Sequence, residues 1–276
     1  MSATPSRTPV KVLVGVTYLA MVGMNVAANA LPLNGRGTGE VSDAYPSLFT
    51  PAGITFSIWG VIYLLLGAHV LYQLFGDRDA DPVLLNRVGV LFSISSLANT
   101  AWVFAWHYDH IALSAVLIVV ILVCLAVIVT MLRKANLTGR QRWLVGVPFS
   151  VYFGWTTVAT VANMTVLLVS RKWDGFGLSD ATWAVIIVLV AMAIGTITMV
   201  RNRDVAYGLV LIWAFAGILI RQTSSDGLAG KYPAIIGAVV ASLVIYLISE
   251  VWILRHRKVG TAGLTRGQTV TGRWTT

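Results

Sequence analysis

Residues 111–132 read IALSAVLIVVILVCLAVIVTML, 22 residues without a charge. As an α-helix such a run rises about 1.5 Å per residue and covers roughly 30 Å, the thickness of a bilayer's hydrocarbon. Its apolar residues do not alternate with polar ones, as they would in the strands of a membrane barrel. Backbone groups in hydrocarbon must satisfy one another, so the stretch reads as a spanning helix. The rest of the chain repeats the pattern. Hydrophobic residues make up 57% of the 276 positions and charged residues 11%, where a soluble domain carries about 25% charged. Further apolar runs at 10–31, 51–75, 88–106, 143–170, 182–200, 205–220 and 233–254 bring the spans to eight, the seventh being the shortest. The chain therefore reads as an all-α, polytopic membrane protein.

The net charge of +9 could point to nucleic acid, but the basic residues sit in the connections between apolar runs. They mark topology, and nucleic acid is not an expected partner. With the N-terminus inside, 15 of the 20 Lys and Arg fall on the inner side and 5 on the outer. This places both termini inside a cytoplasmic membrane, expected to be bacterial. The basic, Gly- and Thr-rich tail, 256–276, would lie close to anionic headgroups. Ala28-Asn29-Ala30 resembles a signal-peptide cleavage site. The preceding apolar stretch is long for a signal peptide, which favours a retained helix. A single cysteine, Cys124, excludes an internal disulfide and any Cys-rich metal motif.

Function should lie where polar and aromatic residues interrupt the apolar runs. The second span begins PAGITFSIWGVIYLLLG at Pro51. Gly53, Gly60 and Gly67 recur every seven residues and read as a helix-packing face. Phe56, Trp59 and Tyr63 form an aromatic stripe beside them. The third span carries Ser95, Asn99, Trp102 and Trp106 at helical spacing, and the fifth carries Tyr152, Thr156, Thr160 and Asn163 beside Trp155 and Ala159. A buried amide needs a partner in hydrocarbon, so Asn99 and Asn163 should face the bundle interior. Helix packing and a shared cavity account equally well for three such stripes. The almost wholly aliphatic fourth span suits a lipid-facing position. The first loop, 32–50, carries three glycines and an apolar end, and is long enough for a lid or binding loop as well as a plain connector.

These motifs resemble the translocator protein family, also called tryptophan-rich sensory proteins (TspO/MBR). On the second helix the resemblance rests on Pro51, Gly53, Phe56, Trp59, Tyr63 and Gly67. On the third it rests on Asn99 and Trp102, and on the fifth on Pro148, Trp155, Ala159 and Asn163. The Phe56-to-Trp59 step is shorter than usual in that family and the Pro148-to-Trp155 step longer. Ala52 replaces a second proline, and Tyr152 stands where tryptophan is usual. The resemblance covers residues 10–170. It implies a five-helix bundle with a cavity between helices two, three and five, under the first loop. Residues 1–175 would form this core, 176–255 a three-helix transmembrane extension, and 256–276 a basic cytoplasmic tail. Family members bind porphyrins and, in animals, cholesterol and synthetic ligands. Carried over, the ligand-binding residues are Phe56, Trp59, Tyr63, Asn99, Trp102, Trp155 and Asn163.

The reading that follows is a membrane receptor or carrier for a flat apolar molecule, porphyrin-like or isoprenoid-like. No cofactor is required, and porphyrin or haem is expected as a ligand only. Membrane lipids and the apolar ligand are the expected partners, with a homodimer as a further expectation. A secondary transporter and a porphyrin-modifying enzyme are the alternatives. The chain has no P-loop, HExxH or GxSxG, and no paired carboxylates within its spans, so hydrolytic and phosphoryl chemistry lack residues. His107-Tyr108-Asp109-His110 reads as an interfacial turn before a metal site, and His69 as a structural residue before a haem ligand. Glu250 reads as a carboxylate near enough to the inner end to reach headgroups or Arg255.

Overall fold

Four of the spanning helices begin where a side chain satisfies one of the first free amides. In the computed structural model, Asp81 accepts from the Val83 amide at 2.9 Å, with Pro82 in the first turn. Thr138 and Gln141 form a reciprocal capping box, Ser179 accepts from the Thr182 amide, and Asp204 accepts from the Tyr207 amide. The structure describes residues 8–31, 33–45, 47–76 and 81–262, with side chains as far as His256. Arg7, Arg78 and the basic residues of the tail lie outside the described residues or side chains.

Eight described helices are long and apolar enough to cross a membrane. They are α1 (Thr8–Ala30), α2 (Gly53–Gly76), α3 (Pro82–His107), α4 (Ile111–Lys134), α5 (Gly139–Ser170), α6 (Asp180–Asn202), α7 (Val205–Thr223) and α8 (Pro233–His256). They match the eight apolar runs, and α7 is the shortest, as expected. The largest shift of a helix start is at α3, which begins six residues before the apolar run at 88. Asn86 and Arg87 read as loop, yet the Asp81–Pro82 start draws them into the helix.

The helices alternate in direction, so the ends of α1, α3, α5 and α7 and the starts of α2, α4, α6 and α8 share one side, the side of the first loop. There the first loop holds a short helix, Thr38–Asp43. Helix α3 packs on α1 and α4, and α4 packs on α5. Helix α2 lies against α1 and α5, α7 packs on α5, and α8 closes α6 and α7. The extension is thus joined to the first five helices. Gly154 of α5 lies so close to α7 that an added Cβ would meet the Tyr207 carbonyl and Val210 at 3.0 Å. Such close backbone approach is how small residues bind helices together in a membrane.

Two expectations need correction. Helix α4 is not simply lipid-facing. It buries Ile118, Ile121, Leu125 and Ile128 between α3 and α5 and exposes Val116, Val123 and Val127. A uniformly aliphatic sequence does not reveal which face packs. The seven-residue glycine series on α2 is not a common packing face either. Only Gly67 meets a neighbour, the Tyr18 hydroxyl, while Gly53 and Gly60 look onto open space. Glu250 packs into the interface between α8 and α7. It is 5% exposed and rests on Gly208 of α7, where a Cβ would collide with its carboxylate.

Candidate functional site

Trp59 stands at the centre of an aromatic cluster in the half of the bundle nearest the first loop. It stacks on Tyr63, one turn along α2, with ring centroids 5.6 Å apart. Trp102 of α3 tilts against it at 6.3 Å. Tyr152 and Trp155 of α5 meet it edge-on at 6.0 and 6.1 Å. Phe56 extends the group by packing edge-on to Trp155 at 5.9 Å. These separations and tilts are those aromatic pairs favour. The 3₁₀ segment Gly53–Ser57 leads into the α-helix at Ile58, and this changes the register between Phe56 and Trp59.

A buried polar chain runs behind the rings. Asn25 of α1 donates to the Asn99 carboxamide oxygen at 2.8 Å and to the Met21 carbonyl at 2.9 Å. Asn99 in turn donates to the Tyr152 hydroxyl at 3.2 Å. Asn99 therefore does face the interior, but its first partner is another helix's amide. Sequence reasoning passed over Asn25, although a lone carboxamide in an apolar span carries the same signal that singled out Asn99.

Six of the seven sequence-predicted site residues come together in this way: Phe56, Trp59, Tyr63, Asn99, Trp102 and Trp155. The seventh, Asn163, is buried elsewhere on α5, where its side-chain oxygen accepts from Ser114 of α4 at 3.2 Å. Around Trp59, several polar groups are buried without a hydrogen-bond partner. They are the indole N–H of Trp102, the indole N–H of Trp155 and the Tyr63 hydroxyl. Native structures leave few buried polar groups unsatisfied, so their convergence on one ring marks the cluster.

The first loop covers the cluster and is fastened at both edges. On the α3 edge, Asn34 donates to the His107 carbonyl at 2.8 Å, Arg36 pairs with Asp109 at 2.5 Å, and Tyr45 donates to Asp109 at 3.1 Å. Partial burial and the Asp109 hydrogen bond raise the Tyr45 phenol above its ordinary pKa, which keeps it a donor. The Trp106 indole donates to the Thr38 carbonyl at 3.1 Å and stacks on Trp102 at 5.5 Å, linking loop to cluster. On the α7 edge, Gln222 donates to the Leu48 carbonyl at 2.7 Å and Arg221 pairs with Asp43 at 3.2 Å. The Ala52 amide donates to the Gly217 carbonyl, and the Trp213 indole to the Thr55 carbonyl, both at 3.0 Å.

The profile of the TSPO-like protein family matches residues 11–252. The chain belongs to that family. The match runs past residue 170 and takes in all eight helices, so the TSPO-like character is not confined to the five that carry the motifs. No curated protein and no solved structure matches the chain.

The histidines weighed as ligands in the sequence have the surroundings of structural residues. His69 is fully buried between Phe92 and Phe149, at 5.9 and 4.8 Å, with Nδ1 against the Leu144 carbonyl at 3.1 Å. His107 is buried with Nδ1 on the Val103 carbonyl, and Asp109 serves the loop. Among the described residues, no group of three His, Cys, Asp or Glu could hold a metal ion. Two surface concavities lie away from Trp59. One, of about 680 Å³, opens beside Tyr45, Asp109, Leu113 and Arg171. A smaller one, of about 340 Å³, lies between Asn86, Leu91 and Met131.

Proposed function

We propose that this TSPO-like protein is a membrane receptor or carrier for a flat, largely apolar molecule held against Trp59, Trp102 and Trp155. The observation that carries the reading is the set of buried donors on rings packed around Trp59, beneath a loop fastened at both edges. Aromatic walls give apolar contact area, and a few fixed polar groups orient the ligand, which is the usual composition of a small-molecule site. Trp59 is half-buried and central, so its ring turns to admit the ligand. The excess of Lys and Arg on the opposite side supports an orientation with the first loop outside and the termini inside.

A free-base porphyrin titrated into the protein in lipid nanodiscs tests the proposal. Tryptophan fluorescence should quench saturably. The saturable part should disappear in the Trp59→Ala, Trp102→Ala, Trp155→Ala variant while nonsaturable quenching of the other tryptophans persists. Saturable quenching that survives intact in the triple variant sinks this assignment of the site. Counterflow uptake in proteoliposomes then separates a carrier from a receptor, which shows none.

A further inference from the structure

The polar groups left over around Trp59 are chiefly hydrogens. Trp102 and Trp155 are 5% and 3% exposed, and each carries an indole N–H without an acceptor. An indole nitrogen can only donate. The Tyr63 hydroxyl is likewise buried and unpartnered. The Tyr152 oxygen already accepts from Asn99, which leaves its own hydrogen to give. The nearby carboxamides are engaged, Asn25 with Asn99 and Asn99 with Tyr152. None of the clustered side chains is a carboxylate, an ammonium or a guanidinium. The His69 imidazole is enclosed by Phe92 and Phe149 and is not one of the rings on Trp59.

Such a site discriminates by chemistry. A hydrocarbon would leave every donor unsatisfied, at a desolvation cost for each. A cation would find no counter-charge, and a metal centre no ligand among these side chains. An ionised carboxylate would be buried without a cation. What remains is a neutral molecule with acceptors on a flat frame. Phe56, Trp59 and Tyr63 are only half-buried, and their helix neighbours Ile54, Val61 and Leu64 are exposed. An apolar tail can therefore leave the cluster along α2 into lipid.

Resting on the reading that this cluster is the ligand site, we propose that its ligand is a planar ring carbonyl compound of the quinone class. Its ring lies among the tryptophans and its oxygens accept from Trp102, Trp155 and Tyr63. The polar fit is to the two carbonyl oxygens, and no redox step is required of the protein.

Equilibrium dialysis of the full chain in nanodiscs, against empty nanodiscs, tests this with three probes. These are menadione, methylnaphthalene as the same frame without oxygens, and a free-base porphyrin. Menadione should bind at least about tenfold more tightly than methylnaphthalene, the equivalent of one well-made hydrogen bond. Tyr63→Phe should weaken menadione by about tenfold, leave methylnaphthalene unchanged, and leave thermal stability equal or higher, since it deletes an unsatisfied hydroxyl. Trp155→Phe should weaken menadione similarly. Equal affinity for the two frames overturns the proposal, as does menadione binding indifferent to both variants. If porphyrin binds and menadione does not, the quinone assignment falls and the receptor reading stands. If no probe binds, both fall.

Discussion

Asn25 puts a carboxamide on α1 where apolar side chains would otherwise fill the interior, and its hydrogen bonds to Asn99 and Met21 hold it there. Replacing it with Ala leaves the Asn99 oxygen without its donor. Interhelical hydrogen bonds in membranes average about 0.6 kcal/mol, reaching about 1.7. Asn25→Ala should therefore cost about 1 kcal/mol, measured by thermal unfolding in detergent. The Asn25→Ala, Asn99→Ala double variant should cost less than the sum of the two singles. Strict additivity would mean that the pair is not coupled. At this scale much of the candidate site was legible in the sequence. Trp59, Trp102 and Trp155 stood at helical spacing inside apolar runs, and they do converge. Asn163 is buried as expected, but spacing along one helix does not say which neighbour a side chain meets, and here it is Ser114 of α4.

Among the elements, glycines separate helix faces that pack from faces that do not. Gly208 of α7 gives room to the Glu250 carboxylate and to Met199, whereas Gly60 of α2 has nothing within reach of an added Cβ. Gly208→Ala should therefore destabilise the protein by about 1–3 kcal/mol through overpacking. The loss should shrink in a Glu250→Ala background, where the closer collision is removed and only that with Met199 remains. Gly60→Ala should be neutral or stabilising by up to about 1 kcal/mol, the helix-propensity difference. Thermal melts of the four proteins check this, and a damaging Gly60→Ala would restore the packing face that the sequence suggested. The spans themselves were readable because runs of about 20 apolar residues report bilayer thickness directly. Contacts were not readable from glycine spacing, since a period of seven places residues on one face without saying what the face touches.

For the molecule as a whole, α7 ties the later helices to the first loop and to the start of α2. The Ala52 amide, the Thr55 carbonyl and the Leu48 carbonyl, all at the mouth of the cluster, take hydrogen bonds from or to Gly217, Trp213 and Gln222. These partners lie 158 to 174 positions apart where side chains are involved, and no periodic pattern in the sequence links them. The Arg221–Asp43 pair is partly exposed, so it should add little by itself. Gly217 is the sensitive point, because a Cβ there would collide with Thr55. Gly217→Val should push α7 from the mouth of α2 and raise hydrogen exchange across residues 38–50. Release of a bound ligand should be faster by about tenfold, roughly 1.4 kcal/mol of lost restraint. Gln222→Ala removes a single bond without crowding, and should shift exchange and release in the same direction by less. Asp43→Ala should leave both nearly unchanged. If Gly217→Val and Gln222→Ala alter neither exchange nor release, α7 braces the bundle without controlling the first loop. A rise in exchange throughout the chain would instead mean that Gly217→Val loosens the whole fold, and the milder Gln222→Ala would then decide the matter.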